Sequence, residues 1–345
     1  MKPIRVVIVD DSTFVREGLV RLLDDPRIKV VGTAATGEEL LANLDVWQPD
    51  VISLDLMMPG MGGMAALEQV MAQRPTPVII LSSHSGEGAP LTIEALSRGA
   101  VECIDKEAYS LLDFQGLRSV LLDRILAVAH SNVSVLTVAT KAPTEPSAAG
   151  QRDKSYDLAL FGASTGGPHA IEQVLIGLGS KIVAPIAIVQ HMPKGFTNAF
   201  AERLDRTLPL TVKEASDGDP LKPGTVHIAP TGQHLRIAKK NGQFYAALGP
   251  MPSDSTHRPS IDVLFGSAAR VAGNQTVAVI LTGMGKDGAD GMAKLRAAGA
   301  HTIAQSAASC VVYGMPNAAV ELDAVQESLP LDKIADRVRK LLRPV

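Results

Sequence analysis

Two sets of residues in this sequence have types and positions suited to chemistry. The first is a hydroxyl, an imidazole and a carboxylate: Ser164 in Gly162-Ala163-Ser164-Thr165-Gly166-Gly167, His191 in Gln190-His191-Met192, and Asp287 in Gly285-Lys286-Asp287-Gly288. Ester hydrolysis needs a nucleophile, a base and a group that orients the base, and these three supply one of each. The glycines around Ser164 permit a tight turn, and the amides of a helix that follows would favour developing negative charge. Taken alone the stretch is ambiguous. Gly-x-Ser-x-Gly-Gly also cradles phosphates and nucleotides, and Ser164 and Asp287 suit helix caps as His191 suits a hydrogen-bonded interior position. The second set is Asp10, Asp11, Asp55, Ser82 and Lys106. Three clustered carboxylates repel unless a hard cation lies among them, and Mg2+ accepts carboxylates, waters and phosphoryl oxygens. The plainer reading of each acid is again a helix cap, which leaves Ser82 and Lys106 at the same edge unexplained.

Both sets need elements to position them, and the first 129 residues alternate apolar runs with helical spacing. Expected strands are Ile4–Val9, Val30–Gly32, Val51–Leu54, Val78–Leu81 and Val101–Ile104, each followed by a helix. Such alternation implies a doubly wound parallel sheet, with ligands at the carboxyl ends of its strands. Asp10-Asp11, Asp55, Ser82 and Lys106 all follow strand runs. Residues 130–155 hold Pro143, Pro146, Gly150 and several Ser/Thr, and read as a connector, with Val133–Val138 at most a short strand. From residue 156 a second alternation begins. Expected strands at Tyr156–Phe161, Ile186–Val189 and Val277–Leu281 lead to Ser164, His191 and Asp287. Turn signals at Pro223-Gly224, Pro230-Thr231-Gly232 and Asn241-Gly242 bracket short strands, including Thr225–Ile228 and His234–Ile237, which read as an antiparallel insertion or hairpin. The expected fold class is therefore α/β throughout: an N-terminal (βα)5 domain over 1–129, a linker over 130–155, and a three-layer α/β/α domain over 156–345.

Composition narrows the functions. In 345 residues a single core is less expected than two domains. The net charge of −3 gives no footprint for nucleic acid, and no basic recognition helix is present. The charge is uneven: residues 1–128 carry 11 Lys/Arg against 18 Asp/Glu, and residues 129–345 carry 22 against 18. The two cysteines, Cys103 and Cys310, have no metal-type or redox-type spacing. Asp10 and Asp11 interrupt the first apolar run, and nothing approaches an eighteen-residue span, so a cytoplasmic protein without membrane insertion is expected.

Residues 1–125 resemble a response-regulator receiver domain, on Asp10-Asp11, Asp55 with Met58-Pro59-Gly60, Ser82 and Lys106. The resemblance implies Asp55 as phosphoacceptor, Mg2+ held by Asp10, Asp11, Asp55 and the Met57 carbonyl, and phosphoryl contacts from Ser82 and Lys106. The sequence departs from that pattern in three places: Glu107 follows Lys106 where Pro is usual, Cys103 falls at the aromatic switch position, and Met61-Gly62-Gly63 replaces a more usual Met-Asp-Gly. Residues 156–345 resemble the catalytic domain of the chemotaxis protein-glutamate methylesterases. The matching stretches are those around Ser164 and His191, His257-Arg258-Pro259-Ser260-Ile261-Asp262, Leu281 to Ala289, and Gly314-Met315-Pro316. This resemblance implies Ser164 as nucleophile, His191 as base, Asp287 as orienter, the Met284 amide in the oxyanion hole, and Thr165 in support. It implies demethylation and deamidation of methyl-accepting chemoreceptors, activation by a chemotaxis histidine kinase through Asp55, and no cofactor for the hydrolysis. A rival expectation is a receiver joined to a non-catalytic protein-binding or nucleotide-binding module. For a nucleotide, an acidic residue about twenty positions past Gly167 would be expected, and the sequence has Gln190 and His191 there.

Overall fold

The computed structural model describes residues 2–82, 88–106, 114–129, 131, 133, 155–180, 182, 184–251, 255 and 257–342. The chain divides into two compact units, Met1–Val138 and Ala139–Val345. Most of the expected connector lies outside the described residues, including 134–138 of the candidate short strand, and so does Glu107.

The first unit is a five-stranded parallel sheet. Its strands are β1 (Ile4–Val9), β2 (Ile28–Ala34), β3 (Val51–Leu54), β4 (Val78–Ser82) and β5 (Glu102–Asp105), in the order β2-β1-β3-β4-β5. Helices α1 (Thr13–Leu22), α2 (Gly37–Trp47), α3 (Gly62–Gln73), α4 (Gly88–Ser97) and α5 (Phe114–Val128) alternate with them. The central runs of Val, Ile and Leu are buried on both faces, as a sheet covered by helices requires. Short polar side chains start the helices: Ser12 Oγ accepts from the Val15 N–H and Thr36 Oγ1 from the Glu39 N–H. The strand order reverses between β1 and β3. That crevice is where an open α/β sheet binds ligands, and Asp10 and Asp55 stand at its two sides.

The second unit holds a seven-stranded parallel sheet. Its strands are β6 (Leu158–Ala163), β7 (Ile186–Gln190), β8 (Thr211–Glu214), β9 (Thr225–Ile228), β12 (Thr276–Ile280), β13 (His301–Gln305) and β14 (Glu327–Leu329), in the order β14-β13-β12-β6-β7-β9-β8. Helices α6 (Gly167–Leu178), α7 (Phe196–Thr207), α8 (Ile261–Ala272), α9 (Ala289–Ala297), α10 (Met315–Glu321) and α11 (Leu331–Leu341) complete it. β10 (His234–Lys240) and β11 (Gln243–Gly249) form an antiparallel hairpin. Its loop is Asn241-Gly242 with φ of 50° and 80°, the two-residue turn whose twist suits a hairpin. One expectation needs correction: Thr225–Ile228 is not part of that hairpin but pairs in parallel with β7 and β8. No helix intervenes between β8 and β9. The residues between them bond along β11 instead, through the Gly218 N–H to Ala246 O and the Leu221 N–H to Phe244 O. The strand order switches at β6, with β7 on one side and β12 on the other. Among the described residues no helix is long and apolar enough to cross a membrane.

Candidate active site

Ser164 and His191 come together because β6 and β7 are neighbours in register. The last paired residues are Ala163 and Gln190, and the His191 N–H donates to Ala163 O at 3.1 Å. Each side chain is thus one residue beyond the pairing, on strands about 4.8 Å apart. On the other side the Ser164 N–H donates to Thr282 O at 3.1 Å. Gly283 lies so close that a Cβ there would overlap Met315 Sδ and sit 2.8 Å from Ser164 Cβ. Only a glycine lets the loop after β12 pass over the serine. Ser164 is 4% exposed and Thr165 is 1% exposed. Thr165 O accepts from Thr282 Oγ1, which ties the turn after β6 to the loop after β12.

Asp287 arrives differently from the sequence expectation. It does not end a strand. β12 stops at Ile280, and Asp287 lies six residues farther on from Leu281, just ahead of α9. What positions it is the N-terminus of α8. Its Oδ1 accepts from Ser260 Oγ at 2.8 Å and the Asp262 N–H at 3.1 Å, and its Oδ2 from the Ile261 N–H at 2.7 Å. His191 Nε2 completes the set at 2.8 Å from Oδ2. Burial pushes the Asp287 carboxyl up, but the bond and charge of His191 and the amides of Ile261 and Asp262 outweigh it. The result is a pKa well below the usual carboxylate range. An acceptor-only carboxylate on Nε2 assigns the imidazole proton to that nitrogen and leaves a lone pair on Nδ1. Nδ1 is buried and has no hydrogen-bond partner among the described residues. The ring is further held by stacking on His257, with centroids 4.2 Å apart and planes 18° apart. No hydrogen bond joins Ser164 Oγ to His191 among the described residues. Reactant geometry in free hydrolases is commonly looser than a formed bond.

Asp262, beside Asp287, is a half-buried carboxyl. Burial raises its pKa to about 6, against the Gly291 N–H bonded to it and with the charge of Asp287. Met284 lies in the loop over Ser164, and its N–H donates to no acceptor among the described residues. Sequence reasoning missed three participants: Ser260 with the α8 terminus as the clamp on Asp287, His257 as the ring stacked on the base, and Gln190. Ser260 carried a signal, since it directly precedes a clear helical run.

In the first unit Asp10, Asp11 and Asp55 bring carboxylate oxygens within 4.8 Å of one another. Lys106 Nζ donates to Asp10 Oδ2 at 2.6 Å and Asp55 Oδ2 at 2.9 Å. Burial alone would lower the Lys106 pKa, but its bonds to the two aspartates raise it. The Met57 N–H donates to Asp55 Oδ1 at 3.1 Å. Ser82 ends β4 at the same edge, and its Oγ accepts from Thr92 Oγ1 of α4 at 2.8 Å. Cys103 is buried in β5, and burial pushes its thiol far above the ordinary range.

Comparison with known proteins agrees with both halves. Residues 159–338 match the CheB methylesterase family, and residues 6–112 match the response regulator receiver domain family. The protein-glutamate methylesterase/protein-glutamine glutaminase of Symbiobacterium thermophilum is 44% identical, over 98% of this chain and 97% of that one. The protein of the same name from Geobacillus kaustophilus is 40% identical, over 99% of each. The crystal structure of the Thermotoga maritima CheB methylesterase catalytic domain aligns with a TM-score of 0.53 and 41% identity, covering 55% of this chain and 100% of that chain. The chain belongs to the CheB-type response-regulator methylesterases, with a receiver domain and a methylesterase domain.

Proposed function

We propose that the second unit hydrolyses methyl esters of glutamate side chains, and deamidates glutamine side chains, on methyl-accepting chemoreceptors. Ser164 Oγ attacks the side-chain carbonyl carbon as His191 Nδ1 takes the hydroxyl proton. The displaced carbonyl electrons go to oxygen, where the Met284 N–H, with Thr165 beside it, offsets the charge. Asp287 stabilises the imidazolium and keeps its ring oriented. The bond to the methoxy oxygen then breaks, His191 returns the proton, and methanol leaves. Water attacks the acyl-enzyme with His191 again as base, and the carboxylate is released. With glutamine the leaving group is ammonia.

The observation that carries this reading is the pairing of His191 Nε2 with Asp287 at 2.8 Å while Nδ1, beside the Ser164 strand end, has no partner among the described residues. His227 also buries an Nδ1 with no partner among the described residues, so what sets His191 apart is its Asp287 bond together with its place at the end of the strand paired with that of Ser164. The test is methanol release and melting temperature on one sample of Ser164→Ala. Loss of the nucleophile should lower turnover by about 10⁵-fold or more with little change in melting. A folded variant retaining most of its activity would remove Ser164 from this role.

In the first unit Asp55 is proposed as the phosphoacceptor for a chemotaxis histidine kinase, with Ser82 and Lys106 contacting phosphoryl oxygens. The hard oxygen donors of Asp10, Asp11 and Asp55 suit Mg2+, with the Met57 carbonyl as a further ligand. When bound, the ion offsets negative charge on the phosphoryl oxygens. Phosphorylation is expected to raise the esterase activity.

A further inference from the structure

Gln190 is the last residue of β7 and is 1% exposed. A buried primary amide must place two donors and one acceptor without water. Its Nε2 donates to Ser164 O at 2.9 Å and to His191 O at 3.0 Å. Two carbonyl oxygens at one end of the amide assign that end as the NH2 group. Oε1 has no hydrogen-bond partner among the described residues. It rests on Gly167, where a Cβ would overlap Oε1 and come within 2.9 Å of Cδ. The side chain is therefore packed by shape, and both of its donors go to the residues proposed as nucleophile and base.

We propose that Gln190 is a positioning residue for the hydrolysis, clamping the main chain of Ser164 to that of His191. The β6–β7 ladder ends at Ala163 and Gln190, and the side-chain amide continues it one step, to the next pair. The clamp also sets direction. Ser164 O is held from two sides, by Gln190 Nε2 and by the Gly167 N–H at 2.7 Å. A trans peptide is planar, so fixing that carbonyl also fixes the Thr165 N–H, which points the opposite way within the same plane. The amide after the nucleophile is a recurrent oxyanion donor in layered α/β hydrolases. Gln190 touches neither ester nor reacting atoms and acts only through its neighbours, so the inference rests on the Ser164–His191 reading above.

Two variants of the full chain test it, with kcat and KM separated in a methanol-release assay on methylated receptor. Gln190→Met keeps length and removes the donors. The kcat should fall by about 10- to 100-fold, with KM within about threefold, the scale expected of a small misplacement of reacting groups. Gln190→Glu turns an acceptor toward both carbonyls when ionised and restores one donor when protonated. Its kcat relative to the parent should rise as pH is lowered from about 8 to about 6. A purely structural amide predicts lower melting temperature with parental kcat per folded molecule. A kcat within about twofold of the parent in folded Gln190→Met would overturn the proposal. So would a pH-independent ratio in Gln190→Glu, which decides the matter if Gln190→Met does not fold. Ser164→Ala in the same assay separates the two readings. If that variant is active, the assignment of the whole site falls. If it is inactive while the Gln190 variants are unimpaired, only the clamp falls.

Discussion

Replacing Asp287 with Asn keeps the shape of the side chain and removes its charge, and the four bonds to the carboxylate determine the outcome. Oδ1 receives Ser260 Oγ and the Asp262 N–H, while Oδ2 receives the Ile261 N–H and His191 Nε2. An amide has one acceptor oxygen, so its NH2 must face one of these pairs. Facing the second pair, it would meet the Ile261 N–H and force His191 to offer a lone pair from Nε2, moving the proton to Nδ1. Facing the first, it would meet the Asp262 N–H, at 3.1 Å the longest of the four contacts, and Ser260 Oγ, which can turn to accept. The second arrangement strands one backbone donor and keeps the tautomer, so it is the one expected. What remains is the difference between a charged and a neutral partner for the imidazolium, about 1–2 kcal/mol, or about 5- to 30-fold in kcat.

That expectation is much smaller than the roughly 10⁴-fold loss incurred when a base is left in the wrong tautomer. The assay is methanol release at saturating methylated receptor, with melting temperature measured on the same sample. A fall of about 10³-fold or more per folded molecule would refute the orientation argued here, and an unchanged kcat would refute any role of the Asp287 charge. Stability adds a second readout. Burial raises the Asp287 pKa, but His191 and the α8 amides depress it overall, below its value in the unfolded chain. A depressed carboxyl contributes stability above the unfolded pKa, near 3.9, and loses it as pH falls through the folded one. The variant's stability deficit should therefore be full near neutral pH and shrink below about pH 4.

Asp262→Asn should do the opposite. Burial raises the Asp262 pKa to about 6, above the unfolded value near 3.9, so its ionisation costs stability as pH rises through that window. Denaturant melts should find the variant more stable than the parent at about pH 7 and no better at about pH 4, and a loss at neutral pH would count against the assignment. Gly283→Ala should cost about 1–3 kcal/mol in denaturant unfolding and most of the activity, because the new Cβ would sit 3.1 Å from Ser164 N and displace the serine. An active, normally stable variant would mean that the loop does not press on Ser164. Asp55→Asn, and removal of Mg2+ from the parent, should each abolish labelling of the receiver by a small-molecule phosphodonor. Labelling that survives both changes would exclude Asp55 as the acceptor.

The sequence made the strands legible where burial on both faces writes continuous apolar runs. Ile186–Val189 and Val51–Leu54 are read at sight, and the residues just past them are the site. What periodicity reports is burial, not partnership. Thr225–Ile228 sits between turn signals at hairpin spacing, and nothing local distinguishes an antiparallel neighbour from the parallel β7 it pairs with. β14 is invisible for a different reason. It is three residues long, Glu-Ser-Leu, and it is fixed from outside, with Glu327 bound by Arg337 Nη2 at 2.6 Å and His301 Nε2 at 2.7 Å. The same distinction runs through the site. Ser164 and His191 end strands, so their nearness follows from the order of the sheet. Asp287 reaches His191 only because the start of α8, some twenty-five residues earlier, presents Ser260 Oγ and two amides to its carboxylate. Residue type, a strand end it does not in fact occupy, and the family resemblance were what nominated Asp287 as the orienter. The reason its charge survives burial lies in a helix terminus that the sequence displays, at Ser260-Ile261, as an ordinary cap.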